Sequence, residues 1–183
     1  MKFSSFFLGC LFLLLGTNSI QGQSPVDYVN MMIGTDGAHR TEYGGMVPSV
    51  TQPFGMTSWC AVTRENRISR TMYHHKDETL QGFMASHQPC IWMGDYGFMT
   101  FMPQINSLKI EKEARKVKLD RDQEIATPYY YKVTYPGDAQ HTITTEFTAT
   151  SRASYFRIHY PEKQKAILYL EAGREEDGGG IEI

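Results

Sequence analysis

Four runs of β-branched and aromatic residues between positions 129 and 172 constrain the fold more than any other part of this sequence. The runs are YYYKVTY, HTITTEFTAT, ASYFRIHY and KAILYLEA, and the short segments PGDAQ, SR and PEKQ separate them. Runs of this composition between turn-forming residues predict antiparallel strands joined by tight turns. In the second run Ile143 and Phe147 alternate with Thr144 and Glu146, which predicts one buried and one solvated face, as in a sandwich sheet.

The composition agrees with a globular all-β chain. The chain has 183 residues, of which 41% are hydrophobic and 13% aromatic, so it is long enough for one domain with a real core. The formal net charge is −2 and no basic cluster occurs, which argues against nucleic acid as a partner. The charged segment LKIEKEARKVKLDRDQE, residues 108–124, is compatible with an exposed helix or a solvated strand pair, and its context favours strands.

The N-terminus has the features of an export signal. Lys2 precedes the apolar run FFLGCLFLLL, and the small and polar residues GTNSIQGQ follow it. This order is typical of a secretory signal peptide, and the apolar run is short for a bilayer span, so an uncleaved anchor is the weaker alternative. We expect a signal peptide over residues 1–22, cleaved after Gly22, and a mature domain over residues 23–183. The mature chain is then exported to the periplasm, the cell surface or the medium, with no membrane span.

Two cysteines, Cys60 and Cys90, remain in the mature chain. In an oxidising compartment they form a candidate disulfide, and a loop of about thirty residues closed in this way is stabilised by about 3 kcal/mol. The alternative is a pair of buried thiols that pack as small hydrophobic groups.

The first part of the mature chain contains a long glycine-rich segment, IGTDGAHRTEYGGMVPSVTQPFGMTSW, over residues 33–59. Such irregular segments in compact domains are usually functional loops. The adjacent His74 and His75 point to opposite faces if they lie on a strand, so at most one of them can join a given metal site. No phosphate-binding loop, dinucleotide motif, HExxH motif or nucleophile elbow occurs.

Six segments in a fixed order give the sequence a family resemblance. They are DYVNMMIGTDG, GGMVPSVTQPFGMTSW, RENRISRTMYHH, LQGFMASHQPCIWMGDYGFMTFMP, EIATPYYYKV and TTEFTATSRASYFRIHYP. Together they resemble the N-terminal domain of glycoside hydrolase family 92, the calcium-dependent exo-acting α-mannosidases, over residues 26–171. The most specific parts are IGT, PFGM, GF…SHQP…W.GDYG…MP and T.T.R. The resemblance implies an antiparallel β-sandwich, followed in complete members by a larger helical domain that this sequence lacks. Because GREEDGGGIEI ends where another strand begins, we expect the sandwich to be incomplete at its C-terminal end.

The resemblance also implies an inverting mechanism, in which one carboxylic acid protonates the leaving oxygen and a carboxylate activates water across the sugar ring. In the family these groups and the Ca²⁺ ligands come mainly from the helical domain. No catalytic residue and no metal ligand is therefore assigned to this chain, and Ca²⁺ is expected only in the full-length enzyme. The expected partners are mannose-containing glycans and the missing helical domain.

The expected contribution of this domain is one wall of the substrate cleft, at the interface between the two domains. The candidate substrate-binding residues are Trp92, His87, Gln88, Trp59 and Asp95. Trp92 suits the apolar face of a sugar or the domain interface, and His87 and Gln88 suit sugar hydroxyls. Asp95 either contacts the sugar or caps backbone amides within its own loop.

The chain departs from the commoner family pattern in two places, with DGAHRTEYGG where many members have GHGHT and ASHQPCIW where many have SHTHLSG. The linkage preference is therefore left open. The alternatives to a mannosidase cleft domain are a stand-alone carbohydrate-binding module and an inactive structural fragment. In either form we expect the isolated chain to expose an apolar face.

Overall fold

A computed structural model describes residues 24–37, 44–67, 69–87, 99–173 and 180–182. Most of the regular structure in these ranges is β-strand. The strands are β1 (Ser58–Val62), β2 (Thr79–Leu80), β3 (Gly82–Ser86), β4 (Met99–Ile105), β5 (Val117–Lys118), β6 (Glu124–Thr127), β7 (Tyr130–Pro136), β8 (Thr142–Ala149), β9 (Ser154–His159) and β10 (Ala166–Ala172). Helical structure in the same ranges is limited to α1 (Lys112–Arg115) and two 3-10 turns, Pro25–Tyr28 and Arg121–Gln123.

The strands form two four-stranded antiparallel sheets and a small ribbon. The first sheet has the order β1-β3-β4-β10, the second has the order β6-β7-β8-β9, and β2 pairs with β5. The four strands predicted between residues 129 and 172 are confirmed. The last of them does not pair with its predecessor, because β10 crosses to the first sheet and pairs with β4 from Ala166↔Ile105 to Ala172↔Met99.

Aromatic side chains fill the space between the two sheets. Phe83 on β3 lies 5.9 Å from Phe147 on β8, and Phe101 on β4 lies 4.6 Å from Phe156 on β9, both measured between ring centroids. Edge-to-face pairs of this kind contribute about 1 kcal/mol each beyond the burial of their area. The predicted antiparallel β-sandwich is therefore confirmed, with its core between the sheets.

Strand β8 has the alternation that the sequence predicts. Ile143, Thr145 and Phe147 are buried, whereas Thr148 on the other face is exposed. The buried hydroxyl of Thr145 is hydrogen-bonded to the hydroxyl of Tyr135 at 2.9 Å, which removes the cost of placing a polar side chain in the core.

The strand prediction for residues 108–124 is wrong for most of the segment. It contains α1, the two-residue strand β5 and a 3-10 turn. The helical turn buries Arg115, which forms an ion pair with Glu171 on β10 and lies over the ring of Tyr169 at 4.8 Å. These partners are remote in sequence, so local charge alternation could not reveal them.

The predicted signal peptide over residues 1–22 lies outside the described residues and stays a prediction, as does the exported location. None of the helices in the described ranges is long and apolar enough to cross a membrane.

Candidate functional site

Three of the sequence motifs meet at one end of the sandwich. Strand β3 ends at Ser86, and β4 begins at Met99, which pairs with Ala85. The chain therefore leaves and re-enters the first sheet at the same end. The PFGM turn reaches the T.T.R turn there, since the backbone N–H of Met56 donates to the carbonyl of Ser151 at 2.7 Å. We call the described residues 52–57, 86–87 and 150–153 the motif edge.

Phe54 is the most exposed large hydrophobic side chain at the motif edge. Its ring is fully exposed and its backbone φ is 61°, in the left-handed region. A bulky residue rarely adopts this conformation, which costs about 1–3 kcal/mol. Strain of this kind clusters at binding sites, so Phe54 is a candidate contact residue that the sequence alone does not single out. The PFGM motif, which contains Phe54, is the sequence feature that could have indicated this residue.

Trp59 lies on β1 at the base of the motif edge and is partly buried. It pairs with Ala85 of β3, and its backbone forms a two-way bridge with Val50. Its ring packs edge-to-face on Phe156, with 5.0 Å between centroids. The indole Nε1 is buried and has no hydrogen-bond partner among the residues that the structure describes. The structure thus shows a packing role for Trp59, and its predicted contact with a sugar stays a prediction.

Of the other candidate residues, only His87 is described. It follows β3 directly and is exposed at the motif edge. Gln88, Trp92 and Asp95 lie outside the described residues, as does Cys90. The other half of the candidate disulfide, Cys60, is buried on β1 opposite Met84. The pairing of the two cysteines stays a prediction.

The IGT motif and the adjacent histidines lie together, away from the motif edge. The N–H of His75 donates to the carbonyl of Thr35 at 3.0 Å. The N–H of His74 donates to the hydroxyl of Thr63, which follows the far end of β1. His74 is 1% exposed, so it is part of the interior.

A buried ion pair supports this second region. Asp77 accepts hydrogen bonds from Arg64 and from the hydroxyl of Thr63. Burial alone raises the pKa of Asp77, but the bonds from Arg64 and Thr63 outweigh burial and lower the pKa below the usual aspartate value. The carboxylate therefore stays charged and ties residues 63–64 to residue 77.

A second buried carboxylate, Glu124, joins the same region to the second sheet. It accepts hydrogen bonds from the hydroxyls of Tyr73 and Tyr131, at 2.9 and 2.6 Å, and from Arg121 at 2.6 Å. Arg121 also donates to the carbonyls of His74 and Asp77. The side chain of Glu124 is only 1% exposed and these hydrogen bonds hold it in the interior, so its role is structural.

The described residues do not offer a metal centre. In the ranges given above, no three His, Cys, Asp or Glu side chains lie close enough together to hold an ion. The Ca²⁺ that the resemblance assigns to a full-length enzyme stays a prediction.

The comparisons with known proteins agree with this architecture. The profile of the glycosyl hydrolase family 92 N-terminal domain matches residues 28–183. This chain belongs to that family. No curated protein matches it.

Solved family 92 structures are similar to the chain over most of its length. The family GH92 inverting mannosidase BT2199 from Bacteroides thetaiotaomicron VPI-5482 is 35% identical, with a TM-score of 0.70 over 81% of this chain. The family GH92 α-mannosidase BT3965 from Bacteroides thetaiotaomicron, in complex with mannoimidazole, is 29% identical, with a TM-score of 0.68 over 79% of this chain. The chain spans only 20% and 19% of these two proteins.

Proposed function

We propose that this chain is the cleft-forming N-terminal domain of an exported exo-α-mannosidase that removes terminal mannose from glycans. The observation that carries the proposal is the meeting of the PFGM, SHQP and T.T.R motifs at one edge of a family 92 sandwich. The mannosidases BT2199 and BT3965 support the substrate class.

In this proposal the motif edge binds and orients the terminal sugar. Phe54 presents an exposed ring to the apolar face of the sugar, and His87 offers ring nitrogens to its hydroxyls. Trp92, Gln88 and Asp95, which lie outside the described residues, are proposed to contact the same sugar. Trp59 supports the surface from below through its contact with Phe156.

The chemical step is proposed to belong to another part of a longer enzyme. Inversion requires two carboxyl groups across the sugar ring, and residues 52–57, 86–87 and 150–153 contain neither aspartate nor glutamate. Because the chain spans about a fifth of the solved mannosidases, there is ample length in such an enzyme for a helical domain that supplies the acid, the base and the Ca²⁺ ligands.

An assay with 4-nitrophenyl α-mannoside and an α-linked mannobiose tests this division of labour. The chain alone is expected to release no mannose, and the same chain fused to the remainder of a family 92 enzyme is expected to do so. Turnover by the chain alone would show that the catalytic groups lie within it.

Binding by the motif edge is tested separately from turnover. Titration with methyl α-mannoside is expected to change the tryptophan fluorescence in a saturable manner, and Trp92→Ala is expected to abolish the change. Ile125→Ala, at an exposed position on β6, serves as the control. A saturable change that survives Trp92→Ala and Phe54→Ala would contradict the assignment of the motif edge.

Mass spectrometry tests both the proposed export and the proposed disulfide. Intact-mass analysis of protein secreted by a bacterial host is expected to show an N-terminus at residue 23, and a non-reducing peptide map is expected to link Cys60 to Cys90. A retained residue 1 or two alkylated thiols would contradict the respective proposal.

A further inference from the structure

The outer face of the second sheet carries a depression. Its volume is about 110 Å³, and it is lined by Tyr130, Glu146, Phe147, Thr148, Tyr155 and Arg157. In strand β9, Phe156 packs into the core, so Tyr155 and Arg157 on either side of it project to the opposite face.

The polar groups of the depression form one hydrogen-bonded network around Glu146. One oxygen of this carboxylate accepts from Tyr130, and the other accepts from Arg157 at 3.1 Å and contacts the ring nitrogen of His159 at 3.2 Å. The side chain of Glu146 is only 15% exposed, whereas that of Arg157 is 62% exposed. The network therefore presents a fixed acceptor at its centre and a donor at its rim.

The electrostatics of the network keep the carboxylate charged. The hydrogen bond from Tyr130, followed by the contact with His159, lowers the pKa of Glu146. Burial, together with the bond to Glu146, raises the pKa of Tyr130 to about 12, so Tyr130 remains a donor at neutral pH. A carboxylate at the centre opposes an anionic ligand, and a single carboxylate is a poor site for a metal ion.

The side chains that line the depression indicate which class of neutral ligand it binds. Tyr130 and Tyr155 both line it, and Tyr155 is 66% exposed. Aromatic rings beside a carboxylate and a guanidinium match a sugar, since its C–H groups pack on the rings and neighbouring hydroxyls can donate to Glu146 and accept from Arg157.

We propose that this outer face is a second carbohydrate-binding site, which holds a neutral sugar unit of a glycan between Tyr130 and Tyr155 and hydrogen-bonds its hydroxyls through Glu146 and Arg157. The site is non-catalytic and anchors the chain on a polymeric glycan. The proposal rests on the contacts of this face and does not require the mannosidase function proposed for the motif edge.

Native gel electrophoresis through immobilised polysaccharide tests the proposal. The probes are an α-mannan, an α-glucan, a β-glucan and a sulphated polysaccharide, and every variant carries Trp92→Ala so that binding at the motif edge is removed. At least one neutral polysaccharide is expected to retard the chain. Tyr155→Ala and Arg157→Ala are each expected to weaken this retardation by about tenfold.

Two matched controls separate the depression from general surface effects. Tyr28→Ala removes another exposed tyrosine, and Lys118→Ala removes an exposed charge on β5, outside this sheet. Both are expected to leave the retardation unchanged. Because Tyr155 and Arg157 are exposed, circular dichroism is expected to show the same fold for all variants.

The remaining outcomes overturn the proposal. They are the absence of retardation by any neutral polysaccharide, retardation by the sulphated polysaccharide alone, and equal retardation of Tyr155→Ala and its parent. Sedimentation showing self-association that Tyr155→Ala abolishes would instead identify the face as a protein interface. The chain with Trp92 intact is run alongside, and retardation of that chain but not of its Trp92→Ala form would overturn this site while supporting the motif edge.

Discussion

Phe54 combines two unfavourable properties, an exposed aromatic ring and a backbone φ of 61°. Glycine adopts this conformation without a steric cost, so Phe54→Gly is expected to raise the stability by about 1 kcal/mol while it weakens methyl α-mannoside binding. Thermal melts and fluorescence titrations measure the two effects.

The alanine variant at the same position separates the backbone from the ring. Phe54→Ala keeps a Cβ at positive φ, so it is expected to melt close to the parent and to bind as weakly as Phe54→Gly. If Phe54→Gly melts below the parent, the ring contributes packing that its exposure does not indicate, and strain is not its main property.

Asp77 contributes to how this domain responds to acid. Its pKa is lowered in the folded state, so its stabilising contribution is complete above the unfolded value of about 3.9 and is lost as the pH falls through the lower folded value. Asp77→Asn leaves the buried Arg64 without its counter-ion and is expected to cost about 3 kcal/mol at pH 7.

Urea unfolding at several pH values measures this contribution. The difference in the free energy of unfolding between Asp77→Asn and the parent is expected to narrow below about pH 4. Protonation of Asp77 in the parent then removes the charge that the variant already lacks. Asp122→Asn, at an exposed position, is expected to follow the parent at every pH. A gap that stays constant down to pH 2 would refute the ion-pair explanation.

At the scale of elements, Gly82 allows β3 and β4 to approach each other. Its φ is 152°, and a Cβ at this position would lie 2.7 Å from the backbone carbonyl oxygen of Phe101. Gly82→Ala is therefore expected to destabilise the chain by about 2 kcal/mol in urea. Gly180→Ala, where a Cβ would meet nothing within 4 Å, is the control. Equal urea midpoints for the two variants would show that β3 and β4 can move apart without a loss of stability.

The sequence predicts well those strands that have an alternating pattern of hydrophobic and polar residues within a short contiguous segment. Ile143 and Phe147 alternate with polar residues on β8, and a buried sheet face requires this pattern wherever the strand pairs. The family motifs identified the loops of the motif edge for the same reason, since each motif is a short contiguous segment.

What the sequence could not show depends on contacts between remote segments. The backbone hydrogen bond from Met56 to Ser151 brings two motifs together, and Arg115 at the end of α1 forms an ion pair with Glu171 where a strand was predicted. The sequence also could not show that Phe54 is exposed, because a hydrophobic residue in a glycine-containing turn can be either exposed or buried. Periodicity contains no information on such pairings.

At the scale of the whole molecule, the sandwich has an open side at β10. Leu168 and Leu170 pair with Pro103 and Phe101, so they project from the face of the first sheet that carries the core. They are nevertheless 49% and 38% exposed. An edge strand with exposed leucines on its inner face is an apolar surface that favours association.

The double variant Leu168→Lys and Leu170→Lys tests this explanation. It is expected to reduce the binding of a hydrophobic dye and the light scattering on heating, with a change in stability within about 0.5 kcal/mol because neither side chain is fully buried. Ile125→Lys, at a 50% exposed position on β6, controls for the added charge. Unchanged dye binding would show that the open side is not the apolar surface responsible for association. Reduced dye binding together with a large loss of stability would show instead that the leucines belong to the core.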